Sequence, residues 1–166
     1  LLLQRGYVDI GFMGGAQIDR YGNLNSSVIG DPKQPEVRLP GTGGGNDISS
    51  LTQMIVAIKH EKRRFVEKVD FVTSPGYLSG KSTRQDAGLI SGGMYRVVTD
   101  LGILGFDEKS KSMKVKALHP GVTIEEIRDN TGFDLLIDED LKLTDAPTDE
   151  ELRVLRHLDP DQVYIA

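Results

Sequence analysis

The sequence predicts an α/β fold, an open mixed β-sheet flanked by helices. Three observations carry that expectation. Residues 54–58 form a continuous apolar run, Met-Ile-Val-Ala-Ile, which suits a strand buried on both faces, as in a parallel sheet. Residues 95–99, 103–106 and 113–118 are rich in β-formers and spaced like a meander. Two helices close the chain, each opened by a capping box, Thr123-x-x-Glu126 and Thr148-x-x-Glu151.

The other elements follow in chain order. Leu1-Leu2-Leu3-Gln4-Arg5-Gly6 reads as the end of a helix with its glycine cap, and a helix end without its beginning predicts a missing N-terminal region. Residues 8–13 read as a strand stopped by Gly14-Gly15. Residues 16–19 and 25–29 are the arms of a hairpin around Arg20-Tyr21-Gly22-Asn23, whose Gly and Asn tolerate positive φ. Asp31-Pro32-Lys33-Gln34-Pro35 is a polar loop, and 37–39 a short strand. After a glycine-rich turn, Asn46 or Asp47 caps a short helix that runs to about Gln53. Residues 69–73 read as a further strand. The Gly- and Ser-rich stretch 76–93 has too little apolar sequence to pack firmly and is expected to be mobile. Ile124 and Ile127 form the apolar stripe of the first closing helix; Leu152, Leu155 and Leu158 point inward from the second. Residues 138–161 carry nine Asp/Glu against three Lys/Arg and read as a solvated face.

Composition narrows the function. A length of 166 residues fits one domain with a real core. A net charge of −5 argues against a nucleic-acid binder. The absence of Cys excludes disulfides, thiolate metal sites and Cys nucleophiles, and the three His show no i, i+4 pair for a metal. No apolar run is long enough to span a membrane, and Leu1-Leu2-Leu3 is too short for a signal core, which predicts a cytoplasmic protein.

Two phosphate-binding motifs fail on inspection. Gly80-Lys81-Ser82 would need a Gly at position 75, where Pro75 stands. Gly41-x-Gly43-x-x-Asn46 lacks the third glycine of a dinucleotide fingerprint. The basic run 59–68, with five Lys/Arg against two Asp/Glu, reads as a solvated loop or subunit contact, with a phosphate contact as the alternative.

What survives is Pro40-Gly41-Thr42-Gly43-Gly44-Gly45-Asn46-Asp47, placed between a strand and a helix. Glycines there let the backbone approach a ligand closely, and consecutive N–H groups stabilise negative charge. Such a turn serves as a phosphate cradle, as an oxyanion hole, or only as a tight crossover that needs small residues.

The turn has company. Preceded by Gly14-Gly15-Ala16-Gln17-Ile18-Asp19-Arg20-Tyr21-Gly22-Asn23-Leu24-Asn25, it resembles the β subunit of family I CoA-transferases, the glutaconate CoA-transferase branch most of all. The matching positions are Gly15, Ala16, Gln17, Asp19, Gly22, Asn23 and Asn25, then Gly41, Gly43, Gly44 and Asp47; Gly45 stands where the family often has Ala. His119-Pro120-Gly121-Val122-Thr123 and Asn130-Thr131-Gly132-Phe133 resemble the family's C-terminal segment.

This resemblance implies a scaffold shared with sugar-phosphate isomerases, with residues 1–166 as a single β-subunit-like domain. It implies an α-subunit partner, coenzyme A as substrate rather than as a permanently bound cofactor, and no metal, nucleic acid or membrane. CoA would pass between an acyl-CoA and a carboxylic acid through a glutamyl-CoA thioester. The family's Glu lies in a Glu-Asn-Gly motif, which occurs nowhere here, so the nucleophile falls outside this chain. Gly43 and Gly44 are then the candidate backbone donors to the oxyanion, and Gln17, Asn25, Gly45 and Asn46 the candidate substrate-binding residues. Related enzymes that hydrolytically open ring-ketone acyl-CoA substrates without that Glu share the fold and are the alternative, as is a non-catalytic partner subunit.

Overall fold

Alternating side chains and well-placed turns divide the chain into β1 (Ile10–Met13), β2 (Gln17–Ile18), β3 (Leu24–Asn25), β4 (Val28–Asp31), β5 (Gln34–Arg38), α1 (Gly45–Leu51), β6 (Gln53–Ala57), α2 (Thr83–Asp86), β7 (Gly93–Val98), β8 (Gly102–Phe106), β9 (Met113–Leu118), α3 (Ile124–Asp129), β10 (Leu136–Leu143) and α4 (Asp149–Leu158). The structure is a computed structural model and describes residues 1–89 and 91–163. Six strands form one mixed sheet in the order β1-β6-β7-β8-β9-β10. Pairing is parallel for β1/β6, β6/β7 and β9/β10, and antiparallel along the β7-β8-β9 meander. The expected open mixed sheet is therefore present.

The core lies on one side of that sheet. Met54, Val56, Met94, Val97, Leu104, Met113 and Val115 point into it and meet Ile18, Leu24, Phe65 and Ile127 from the overlying segments. The same face receives α1, whose Ile48 sits where a Cβ on Gly11 would project. Residues of the opposite face stay open, with Phe12 73% exposed and Ile10 44%. Strand β6 thus alternates between buried Met54 and Val56 and less buried neighbours. The expectation of burial on both faces is corrected, because no described element covers the second face at β1.

Several boundaries move. The hairpin arms shorten to β2 and β3, because Val28 leaves to pair with Arg38 in a second hairpin, β4/β5. That hairpin absorbs the polar loop 31–35 into its tight turn. Helix α1 starts after Gly44 with no side-chain cap; in place of Asn46 or Asp47, the Thr42 hydroxyl accepts from the Asn46 amide at 2.8 Å. Residues 69–73 form no strand, and only Ser74 bridges to Leu24. Strand β10 runs into the acidic stretch, where Asp138 meets Lys114 and Lys116 of β9.

Threonine capping holds at both closing helices. Thr148 and Glu151 complete a reciprocal box, whereas Thr123 accepts from the Glu126 amide without a return bond from the Glu126 side chain, so the expected box there is only half formed. Yet α4 buries none of its residues: Leu155 is 41% exposed and Leu158 75%. The inward placement of Leu152, Leu155 and Leu158 is corrected, since α4 lies beyond β10 with no core beneath it.

At the other end, the Gly6 amide donates to Leu3 and the Tyr7 amide to Leu2, with Gly6 at φ 71°. This is the paired 6→1 and 5→2 bonding that ends a helix. Stretch 76–93 is anchored rather than loose: Asn23 accepts from the Gly76 and Leu78 amides, and Arg84 is buried. Within it, Ile90 lies outside the described residues.

Candidate functional site

The glycine turn stands at the carboxyl end of β1, where ligands bind in open α/β sheets. Two hairpins set its position. Beyond β5 the chain stays stitched to the segment after β3: the Leu39 amide donates to Ser27, the Gly41 amide to Ser26, and the Ser26 hydroxyl returns a bond to the Gly41 carbonyl at 2.9 Å. Gly41 (φ 91°) and Gly43 (φ 50°) occupy left-handed backbone that favours glycine. The Gly45 amide closes the turn onto the Thr42 carbonyl at 2.7 Å.

That leaves the amides of Thr42, Gly43, Gly44 and Asp47 open among the described residues, and two of them belong to adjacent glycines. Among the described residues, the N–H groups of Gly43 and Gly44 have no protein acceptor, and both glycines are exposed. A Cβ built on either would meet nothing within 4 Å. Adjacent free amides on an exposed, side-chain-free turn are an anion-stabilising arrangement.

Gly45 plays a different part. It is buried, and a Cβ there would sit 2.6 Å from Met13 Cε and 2.9 Å from Ser74 Oγ. It seats α1 against the end of β1. Asn46 is exposed beside the open amides, and its side chain donates to the Thr73 carbonyl at 3.5 Å. Thr73 also holds the turn's other flank: its hydroxyl accepts from the Ser26 amide at 3.0 Å and lies 2.8 Å from the Ser27 hydroxyl.

Gln17 and Asn25 are buried, and their polar atoms are engaged inside the protein. Gln17 Oε1 accepts from Asn25 Nδ2 (2.7 Å) and the Asp70 amide (3.1 Å), while Gln17 Nε2 donates to Asp70 Oδ2 (2.9 Å). Asn25 also donates to the Val28 carbonyl and accepts from the Ser27 and Val28 amides. They fix Ser26 and Ser27, which in turn hold Gly41. The structure therefore brings Asn46 to the open amides and sets Gln17, Asn25 and Gly45 behind them.

Asp19, Asn23, Ser26 and Thr73 carry no role that the sequence alone assigns. Asp19 accepts from the Tyr21 and Asn23 amides and from the Asn23 side chain. Burial is the largest influence on its carboxyl and raises its pKa above the ordinary value, against the hydrogen bonds from Asn23. The -Asp-x-x-Gly-Asn- spacing was the available signal, because it puts a carboxylate beside the two amides of a tight turn. Gly22, at φ 74°, fills that turn where a Cβ would strike Met94 and Phe106.

The basic run is largely spent locally: Glu61 meets Lys59, Arg63 and Arg64. Among the described residues no group of three or more His, Cys, Asp or Glu is arranged to hold a metal, and no helix is long and apolar enough to cross a membrane.

The model of the coenzyme A transferase family matches residues 1–130. The chain belongs to the coenzyme A transferase family. Within that family it is similar to a glutaconate CoA-transferase subunit of Acidaminococcus fermentans, at 46% identity over 94% of this chain and 59% of the relative. The crystal structure of glutaconate coenzyme A-transferase from that organism superposes with a TM-score of 0.90 at 43% identity, covering 99% of this chain and 64% of that one. A second relative is a 3-oxoadipate CoA-transferase subunit of Pseudomonas knackmussii, 44% identical over 95% of this chain and 61% of the relative. A third is a cholesterol ring-cleaving hydrolase subunit of Rhodococcus jostii, 38% identical over 89% of this chain and 58% of the relative. The chain thus spans about three fifths of the length of these three relatives.

Proposed function

We propose that this chain is part of the β subunit of a CoA-transferase that moves CoA between an acyl-CoA and a carboxylic acid. The observation that carries the reading is the pair of open amides at Gly43 and Gly44 in a member of this family. A Glu outside this chain attacks the thioester carbonyl; the tetrahedral oxyanion collapses to an acyl-glutamyl anhydride and releases CoA thiolate. That thiolate attacks the Glu carbonyl, freeing the first carboxylate and leaving glutamyl-CoA, and the acceptor acid runs the sequence in reverse. Each step passes through an oxyanion, for which the two amides are donors. Losing one such donor typically costs on the order of 10²–10³ in rate. Asn46 faces the substrate, Gly45 seats the turn, and Gln17 and Asn25 position it.

Residues 1–166 act as one domain with an α-subunit partner in the cytoplasm, and coenzyme A is a substrate with no permanently bound cofactor. The hydrolytic alternative has one supporting observation, the hydrolase relative, against higher identity to the two transferases. The complete protein with its partner, incubated with an acyl-CoA, is expected to give a protein–CoA thioester by intact mass that a carboxylic acid discharges. Product formation with no thioester, and with oxygen taken from labelled water, refutes the transferase.

A further inference from the structure

We propose that Arg84 is a positioning residue for the glycine turn: its buried guanidinium clamps the far end of α1 and so fixes where the Gly43 and Gly44 amides point. The inference rests on the oxyanion reading of that turn.

Arg84 is 2% exposed, yet every hydrogen-bond acceptor it uses is a backbone carbonyl. Nη1 donates to Pro75 (3.1 Å) and Gly76 (2.8 Å). Nη2 donates to Ser49 (2.7 Å), Ser91 (2.8 Å) and, at 3.4 Å, Ser50. Burying a guanidinium without a counter-carboxylate is costly, and an apolar side chain of similar volume fills space more cheaply. What only the planar fork does is tie several carbonyls in fixed directions at once.

Two pairs of those carbonyls bear on the site. Ser49 and Ser50 are in the last turn of α1, whose first residue follows Gly44. Pro75 and Gly76 continue directly from Thr73 and Ser74, the pair beneath the glycine turn. The contacts therefore close a ring, from the turn along α1 to Arg84, across to 75–76, and back through Thr73 to Asn46 and Ser26. Arg84 is itself held, because the hydroxyl of its neighbour Thr83 donates to the Tyr77 and Gly80 carbonyls at 3.0 and 2.7 Å. A displacement of the α1 carbonyl end is passed as a rigid-body tilt to the open amides.

The test compares Arg84→Met and Arg84→Lys with the parent in the complete protein with its partner, first by glycine-labelled amide resonances and hydrogen exchange, then by turnover. The expected result is shifted Gly43 and Gly44 resonances and faster exchange in α1. Turnover per folded molecule should fall at least about tenfold in kcat with KM little changed, less for the lysine variant. Should Arg84→Met fail to fold, Arg84→Gln, which keeps a planar donor, is measured in its place. Unmoved turn resonances overturn the clamp whatever happens to turnover. Moved resonances with parental kcat leave the clamp standing and overturn the oxyanion reading instead.

Discussion

Three adjacent glycines give three different expected outcomes, and the differences separate a working turn from a structural one. Gly44 has φ −86° and ψ 3°, a conformation open to L-residues, with nothing within 4 Å of its Cβ direction. Gly44→Val should therefore change stability by no more than about 1 kcal/mol. Gly43, at φ 50°, is left-handed, so Gly43→Ala should cost about 1–2 kcal/mol even though its surroundings are empty. Gly45→Val must displace Met13 Cε and the buried Ser74 hydroxyl, 2.6 and 2.9 Å from the new Cβ. Overpacking of that kind costs about 1–3 kcal/mol, partly offset by the better helix propensity. Urea midpoints should accordingly fall least for Gly44→Val. Turnover of the complete protein, corrected for the folded fraction, should drop on the order of 10² for Gly44→Val, because the side chain crowds the open amide. If Gly43→Ala and Gly44→Val both stay within about threefold of the parent per folded molecule, the amides play no part in the chemistry.

His60 should impose a pH dependence on stability. Its ring is buried between the Thr99 and Thr131 hydroxyls and stacked on Phe65, and burial lowers its pKa from 6.5 to about 4 despite Asp100. The unfolded chain then takes up a proton that the folded one refuses, so about 3 kcal/mol of stability present above pH 6.5 is lost as pH falls toward 4. Urea titrations of the parent and His60→Gln should show a flatter profile for the variant across that window. Asn25→Ala strands buried partners at Gln17, Ser27 and Val28 and should cost about 2–4 kcal/mol by the same titration. Leu155→Glu, on a helix with no buried residue, should move the urea midpoint by less than about 0.5 kcal/mol equivalent.

The sequence resolved what is local. The meander strands and both threonine caps are read from spacing of a few residues, and they stand where expected. What it missed depends on partners far along the chain. Residues 69–73 look like a strand but meet hydrogen-bond partners from the first hairpin, Gln17 at Asp70 and Ser26 at Thr73. Strand β10 hides among acids because Asp138 is matched by lysines on the neighbouring strand. Arg84 sits among Gly and Ser in a stretch that reads as mobile, and no local pattern reveals five carbonyls converging on it. The glycine turn itself was legible; the side chains that aim it were not, because Ser26 and Thr73 are ordinary residues made important by where the chain returns.

The strand order also predicts a folding sequence. β7, β8 and β9 meet through short turns, so their pairing closes with little loss of chain entropy. β1 lies against β6, with Ile10 opposite Gln53, and that parallel pairing waits until the two small hairpins and α1 between them have been laid down. This order predicts the meander as the early nucleus and the glycine turn as a late arrival. Truncating Leu104 or Val115 should slow refolding. Truncating Gln17 or Asn25 should leave the refolding rate nearly unchanged and speed unfolding, so the segment that carries the turn is the first to open.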